Sequence, residues 1–145
     1  MTTPENWKYY ALLSAVFAAL TAILAKCGVK GIDANLATAI RTTVILFLTW
    51  SIALFAGGAS HIRELTWKSV AFLVASGVAT GLSWLFYFKA LQFGDVSKVA
   101  PIDKLSVALV VVFGIVFLHE KLSWQVVAGT LCIVAGTLFL LHGGR

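Results

Sequence analysis

Three charged side chains stand inside apolar runs. Arg41 lies in AIRTTVILFLTW, and the adjacent Asp103 and Lys104 lie in VAPIDKLSVALVVVFGIVFLHE. An Asp or Lys at the centre of a membrane-spanning helix costs roughly 2.5–3.5 kcal/mol, and less near an end. Leu105 to Leu118 carries eleven Leu, Ile, Val or Phe, each returning about 0.3–0.6 kcal/mol. That helix roughly breaks even, so its charges need partners or water. Embedded charges of this kind face a bundle interior or a cavity and mark a pathway. The structural alternative is a clamp, in which Lys104 snorkels to water and Arg41 pairs with Asp103. Pro101 removes one backbone donor and clashes with the carbonyl of Ser97. It predicts either a helix kink beside the charges or a proline merely close to a helix start.

Polar and aromatic residues accompany these charges. Ser69, Ser76, Thr80, Ser83 and Tyr87 are spaced 7, 4, 3 and 4 apart, one face of a helix. Trp84 and Tyr87 fall near the charged level, where they can stack on a solute or contact lipid or a neighbouring helix. The candidate substrate-binding set is therefore Arg41, Asp103, Lys104, Tyr87, Trp84 and Ser83. Gly77 and Gly81 form a GxxxG pair, which permits close helix contact.

The elements that must hold these residues follow from composition. The chain has 145 residues, 60% hydrophobic and 12% charged, and its mean hydropathy is +0.95. Soluble domains are about 25% charged, so this is an integral membrane protein, and its partner is the lipid bilayer. A bilayer core takes about 20 apolar residues as a helix. Five such spans are expected, over 9–27, 36–56, 69–91, 96–118 and 124–141, in one all-α domain. Asp33 or Asn35 can cap the second span, Asp95 the fourth and Ser123 the fifth. The short connections make neighbouring spans antiparallel. At 1.5 Å per residue, Asp103 lies about 10–12 Å along the fourth span, and Arg41 a similar distance along the second. Both helices start from one side, so the two charges share a level. Depth can be read in this way, but rotation cannot.

Charge sets no firm orientation. The formal net charge is +5, but the basic residues are scattered singly and form no nucleic-acid-binding array. On the side of the amino terminus lie Lys8, Arg63, Lys68 and Lys121. On the other lie Lys26, Lys30, Lys89, Lys98 and Arg145. The positive-inside rule needs an asymmetry, and four against five is nearly flat. Adding Arg41 and Lys104 casts a mild vote for a cytoplasmic second side. A near tie fits a dual-topology chain, and equally one oriented by a partner. Trp7, Trp67 and Trp124 each precede a span starting on the first side, as interfacial tryptophans do.

The remaining chemistry is sparse. MTTPENWK, with Glu5 and only Lys8 charged, followed by a long apolar run, is not expected to be a cleaved signal. Cys27 and Cys132 read as small apolar fillers. His61, His119 and His142 occupy different contexts and suggest no metal site. No nucleophile elbow, phosphate loop or dinucleotide fingerprint occurs, so neither an enzyme nor a cofactor is expected.

The run LSWLFYFKALQFGDVSKVAPIDKLSVALVVVFGIVFLHEKLSWQVVAGTLCIVAG resembles the closing part of an EamA-type domain of the drug/metabolite transporter superfamily. The likeness rests on YFKAL before a short loop, the proline in the fourth span, the turn at Glu120–Ser123 and the glycine-bearing helix after it. Arg41 is similar to that family's as well. The resemblance implies half of a ten-helix inverted-repeat transporter, since full-length members have two such five-helix units of opposite topology. A lone unit then implies an antiparallel homodimer in the cell membrane, moving a small molecule by alternating access. Gly129 and Gly136 look like the dimer-forming glycine pair of the related small multidrug resistance proteins. Those proteins use a glutamate in their first helix. The first span here has only Ser14, Thr21 and Lys26, so export of lipophilic cations does not carry over. Asp103 is the one embedded carboxylate and the candidate for proton coupling. The excess of positive charge favours an anionic or zwitterionic solute or a lipid head group. The rival readings are a non-transporting membrane subunit and one half of an obligate heterodimer.

Overall fold

In lipid no water is available to backbone N–H and C=O groups, so a spanning segment must satisfy them internally. That condition overrides residue preference. The run SVALVVVFGIVFL is rich in β-branched residues, yet it forms a helix. A computed structural model describes residues 6–142. Glu5 and Arg145, used above in the signal and charge readings, lie outside the described residues. The described helices are α1 (Asn6–Gly28), α2 (Ala34–Phe55), α3 (Trp67–Phe93), α4 (Val96–Asp103), α5 (Ser106–Leu118) and α6 (Trp124–His142). By length and composition five helices can cross a membrane, with α4 and α5 together making the fourth. They hold 19 to 27 residues, or roughly 28–40 Å of helix, against about 30 Å of hydrocarbon.

The chain divides into two compact units, Met1–Phe93 and Gly94–Arg145. In the first, α3 packs against both α1 and α2. The carboxyl-terminal ends of α1 and α3 are tied together: Lys26 Nζ donates to the Leu91 carbonyl at 2.6 Å. Beside it, Gln92 Nε2 donates to the Ile32 carbonyl at 2.7 Å. Leu91 is completely buried and Val29 nearly so. The α1–α2 turn uses Gly31 at φ 75°, a left-handed conformation that costs glycine nothing. Asp33 then caps α2, its Oδ1 accepting from Asn35 N at 2.9 Å and Leu36 N at 3.2 Å. After α2, Gly57 is left-handed and a short 3-10 helix spans Gly58–Glu64. Thr66 caps α3, its hydroxyl accepting from Ser69 N and bonding the Ser69 hydroxyl at 2.8 Å. Ser69, the first residue of the polar stripe, is thus engaged at the helix start.

In the second unit α6 packs against α4 and α5. Asp95 occupies the N-cap position of α4, but its side chain makes no cap bond. Its carbonyl accepts from Lys98 and Val99. Pro101 sits inside α4, and the helix is interrupted three residues later, at Lys104–Leu105. There the bonds tighten to the i to i+3 pattern: Lys104 N to Pro101 O, Leu105 N to Ile102 O and Val107 N to Lys104 O, each 3.0 Å. The helix α5 ends on His119 at φ 56°, with Glu120 N reaching back six residues to Gly114 O at 3.1 Å. Ser123 starts α6, its Oγ accepting from Val126 N at 3.4 Å.

Candidate functional site

Arg41 lies seven residues into α2, about 10 Å from its start at 1.5 Å per residue. Across from it, Trp84, Tyr87 and Phe88 stand on α3 at i, i+3 and i+4, the spacing that puts side chains on one helix face. The guanidinium carbon of Arg41 is 3.2 Å from the centre of the Trp84 ring and 6.0 Å from that of Phe88. Trp84 in turn meets Tyr87 edge-on, 5.4 Å between centroids, and Phe88 at 6.0 Å. The aromatic cluster holds the cation by the attraction of a positive charge to a ring face, stronger where water is excluded.

Arg41 also lines a half-open cavity of about 360 Å³. Its walls are Thr21, Leu24, Ala25 and Gly28 of α1, Ile32 of the turn, Ala37, Ile40 and Arg41 of α2, and Phe88 of α3. Arg41 is the one charged group in that lining, Thr21 supplies a side-chain hydroxyl, and the rest is apolar or backbone. The first unit has two described acidic residues, and both are engaged elsewhere. Asp33 caps α2, and Glu64 Oε2 lies 3.0 Å from His61 Nδ1 in the exposed 3-10 segment. Among the described residues of its unit Arg41 therefore has no carboxylate partner, and it faces an apolar hollow.

Of the six expected substrate residues, Arg41, Trp84 and Tyr87 come together here. Ser83 is exposed and adjoins Trp84 in sequence. Trp84 and Tyr87 do not line the cavity; they reach it through Arg41 and Phe88. The sequence reading passed over Phe88 and the α1 wall. Thr21, Leu24, Ala25 and Gly28 follow the i, i+3, i+4, i+7 pattern of one helix face, and that spacing was the available signal.

Asp103 and Lys104 belong to the second unit. Their side chains approach to 3.4 Å, with Asp103 39% and Lys104 55% exposed. They sit at the interruption between α4 and α5. Nearby, the buried Thr137 hydroxyl contacts the Pro101 carbonyl at 3.3 Å and donates to Ile133 O at 2.8 Å. Within the chain, a methyl group added at Gly77, Gly81, Gly129 or Gly136 would meet nothing within 4 Å. Among the described residues no group of three His, Cys, Asp or Glu side chains could hold a metal ion.

The chain matches the EamA-like transporter family over residues 6–142. It is 48% identical over 136 residues to an uncharacterized transporter in the cobO 3′ region of a Sinorhizobium species, covering 94% of this chain and 96% of that protein. It is 28% identical over 130 residues to human solute carrier family 35 member G1, covering 90% of this chain and 35% of that longer protein. No solved structure matches it.

Proposed function

From the membership of this chain in the EamA-like transporter family, we propose that it is a half-size secondary carrier of a small anionic or zwitterionic metabolite in the cell membrane. That it is a multi-pass membrane transporter follows from the family and from its five apolar helices. Two copies in opposite orientation would supply the ten helices of an inverted-repeat carrier and alternate access by rocking. Arg41 anchors the solute, with Trp84, Tyr87 and Ser83 beside it. In the second unit Asp103 is the candidate proton-coupling group and Lys104 its charged neighbour, with Pro101 and the following interruption as the flexible point. The open glycine faces at Gly77 and Gly81, and at Gly129 and Gly136, are candidate seams.

The observation that carries this reading is Arg41, stacked on Trp84 inside an apolar span and opening onto a cavity. A cation kept at that depth needs a role that repays its desolvation. Proteoliposomes holding the full chain should move at least one member of a panel of radiolabelled amino and carboxylic acids. Arg41→Ala and Asp103→Asn should abolish that flux at unchanged protein level. Equal loss of protein in both variants would point to a structural clamp instead.

The nearly flat distribution of Lys and Arg keeps a second reading in view, an obligate heterodimer or accessory subunit oriented by its partner. Cysteines placed singly at each chain end, in a background lacking Cys27 and Cys132, separate the two. Labelling of both ends in about half the molecules supports the antiparallel homodimer. Labelling of one end alone requires a partner.

A further inference from the structure

We propose that the Arg41 cavity selects a small amphipathic monoanion, a carboxylate on an uncharged apolar body, over the matching amino acid. This rests on the carrier reading above and narrows its solute class.

The cavity lining carries one charge, and it is positive. Trp84 takes a face of the Arg41 guanidinium at 3.2 Å. Stacking of this kind leaves the in-plane N–H donors for a carboxylate, whose two oxygens match that fork. Beyond the guanidinium the hollow is walled by Leu24, Ala25, Ile40 and Phe88, a setting for a hydrocarbon chain or ring. Its volume, about 360 Å³, is at the small end of ligand cavities, which run from about 300 to 1,000 Å³.

The ammonium of a zwitterion has no place in this arrangement. The described carboxylates of the unit are committed to the α2 cap and to His61. Thr21 offers a single hydroxyl to a cation with three donors. An unpaired charge taken from water is strongly penalised. The site therefore discriminates by what it lacks, rejecting a positive group rather than reading it.

Three probes with one phenethyl body test this on the full chain in lipid nanodiscs: radiolabelled 3-phenylpropanoate, phenylalanine and phenethylamine. Saturable binding of 3-phenylpropanoate is expected, with phenylalanine at least tenfold weaker and phenethylamine unbound. Arg41→Gln should weaken 3-phenylpropanoate at least tenfold, and Arg63→Gln should leave it unchanged. Ile40→Trp, which fills the cavity without touching the charge, should also block binding and guards against misfolding of the Arg41 variant. Phenylalanine binding as tightly as 3-phenylpropanoate overturns the proposal, as does the absence of saturable 3-phenylpropanoate binding. Flux keeps the two readings apart. If 3-phenylpropanoate binds but does not cross proteoliposomes, the selectivity stands and the carrier reading falls. If phenylalanine is carried and 3-phenylpropanoate is not, the reverse holds.

Discussion

Arg41 Cζ stands 3.2 Å from the centre of the Trp84 indole, and this contact joins α2 to α3 at the level of the cavity. It places a residue that is costly in lipid against the side chain best suited to hold a cation without neutralising it. The ring stabilises the charge without neutralising it as a buried ion pair would.

The strength of this contact can be measured with a double-mutant cycle on Arg41→Gln and Trp84→Leu. Coupling of about 1–2 kcal/mol is expected for a partly desolvated cation and ring. Thermal melting of the four proteins in one detergent reads it. Additive single effects would mean that the stack contributes nothing to stability.

The tie between the ends of α1 and α3 should be worth more than an ordinary hydrogen bond, because Lys26 donates to Leu91 O as a charged group. Lys26→Met should destabilise by about 1.5–3 kcal/mol. Gln92→Leu, which removes a neutral donor from Ile32 O, should cost about 0.5–1.5 kcal/mol. Melting temperatures give the order, and amide exchange in the 29–33 turn should rise in both variants.

His119 holds φ 56° at the end of α5, a conformation costing a non-glycine residue roughly 1–2 kcal/mol. His119→Gly should stabilise the chain by about 0.5–1 kcal/mol, the remainder being offset by the freer unfolded chain. Gly114 faces the same turn, where an added methyl would stand 3.1 Å from Glu120 Oε2. Gly114→Ala should be nearly neutral, since its helix gain offsets a small shift of that flexible carboxylate. Gly114→Leu should lower the melting temperature.

The glycines of α6 give a clean separation of folding from association. A methyl group at Gly129 or Gly136 meets nothing within 4 Å among the described residues, so Gly136→Ala should not lower the melting temperature of the monomer, and Gly136→Leu is compared with it. If α6 is the seam between copies, Gly136→Leu should reduce cross-linked dimer in membranes several-fold. Unaltered cross-linking would move the seam elsewhere, with Gly77→Leu on α3 as the next test.

Much of this was legible in the chain, and for identifiable reasons. Spans show because apolar runs must be long enough to cross hydrocarbon. Asp33 shows because a short acceptor before an apolar run is what free N–H groups require. Arg41 stands out because a charge in such a run is expensive. Its partner did not, because depth can be read along a span but the rotation of one helix against another cannot. Trp84 could be assigned to a solute, to lipid or to a neighbouring helix, and the structure sets it against Arg41 of α2. A kink beside the charges was one of the two readings of Pro101, but the position of the interruption at Lys104–Leu105 was not legible. Pro101 drew attention to itself, but the ladder changes register three residues later, in residues with ordinary helical preferences.

The Arg41–Trp84 contact also imposes an order on biogenesis. Trp84 is made 43 residues after Arg41, a delay of roughly 2–9 s at about 5–20 residues per second. During that interval α2, the least apolar of the five spans, must hold its cation with no indole to receive it. The nascent helix would wait at the translocon or lie shallow, with the guanidinium drawn to the head groups. Emergence of α3 would then complete its insertion, so α2 and α3 would enter the bilayer as a pair.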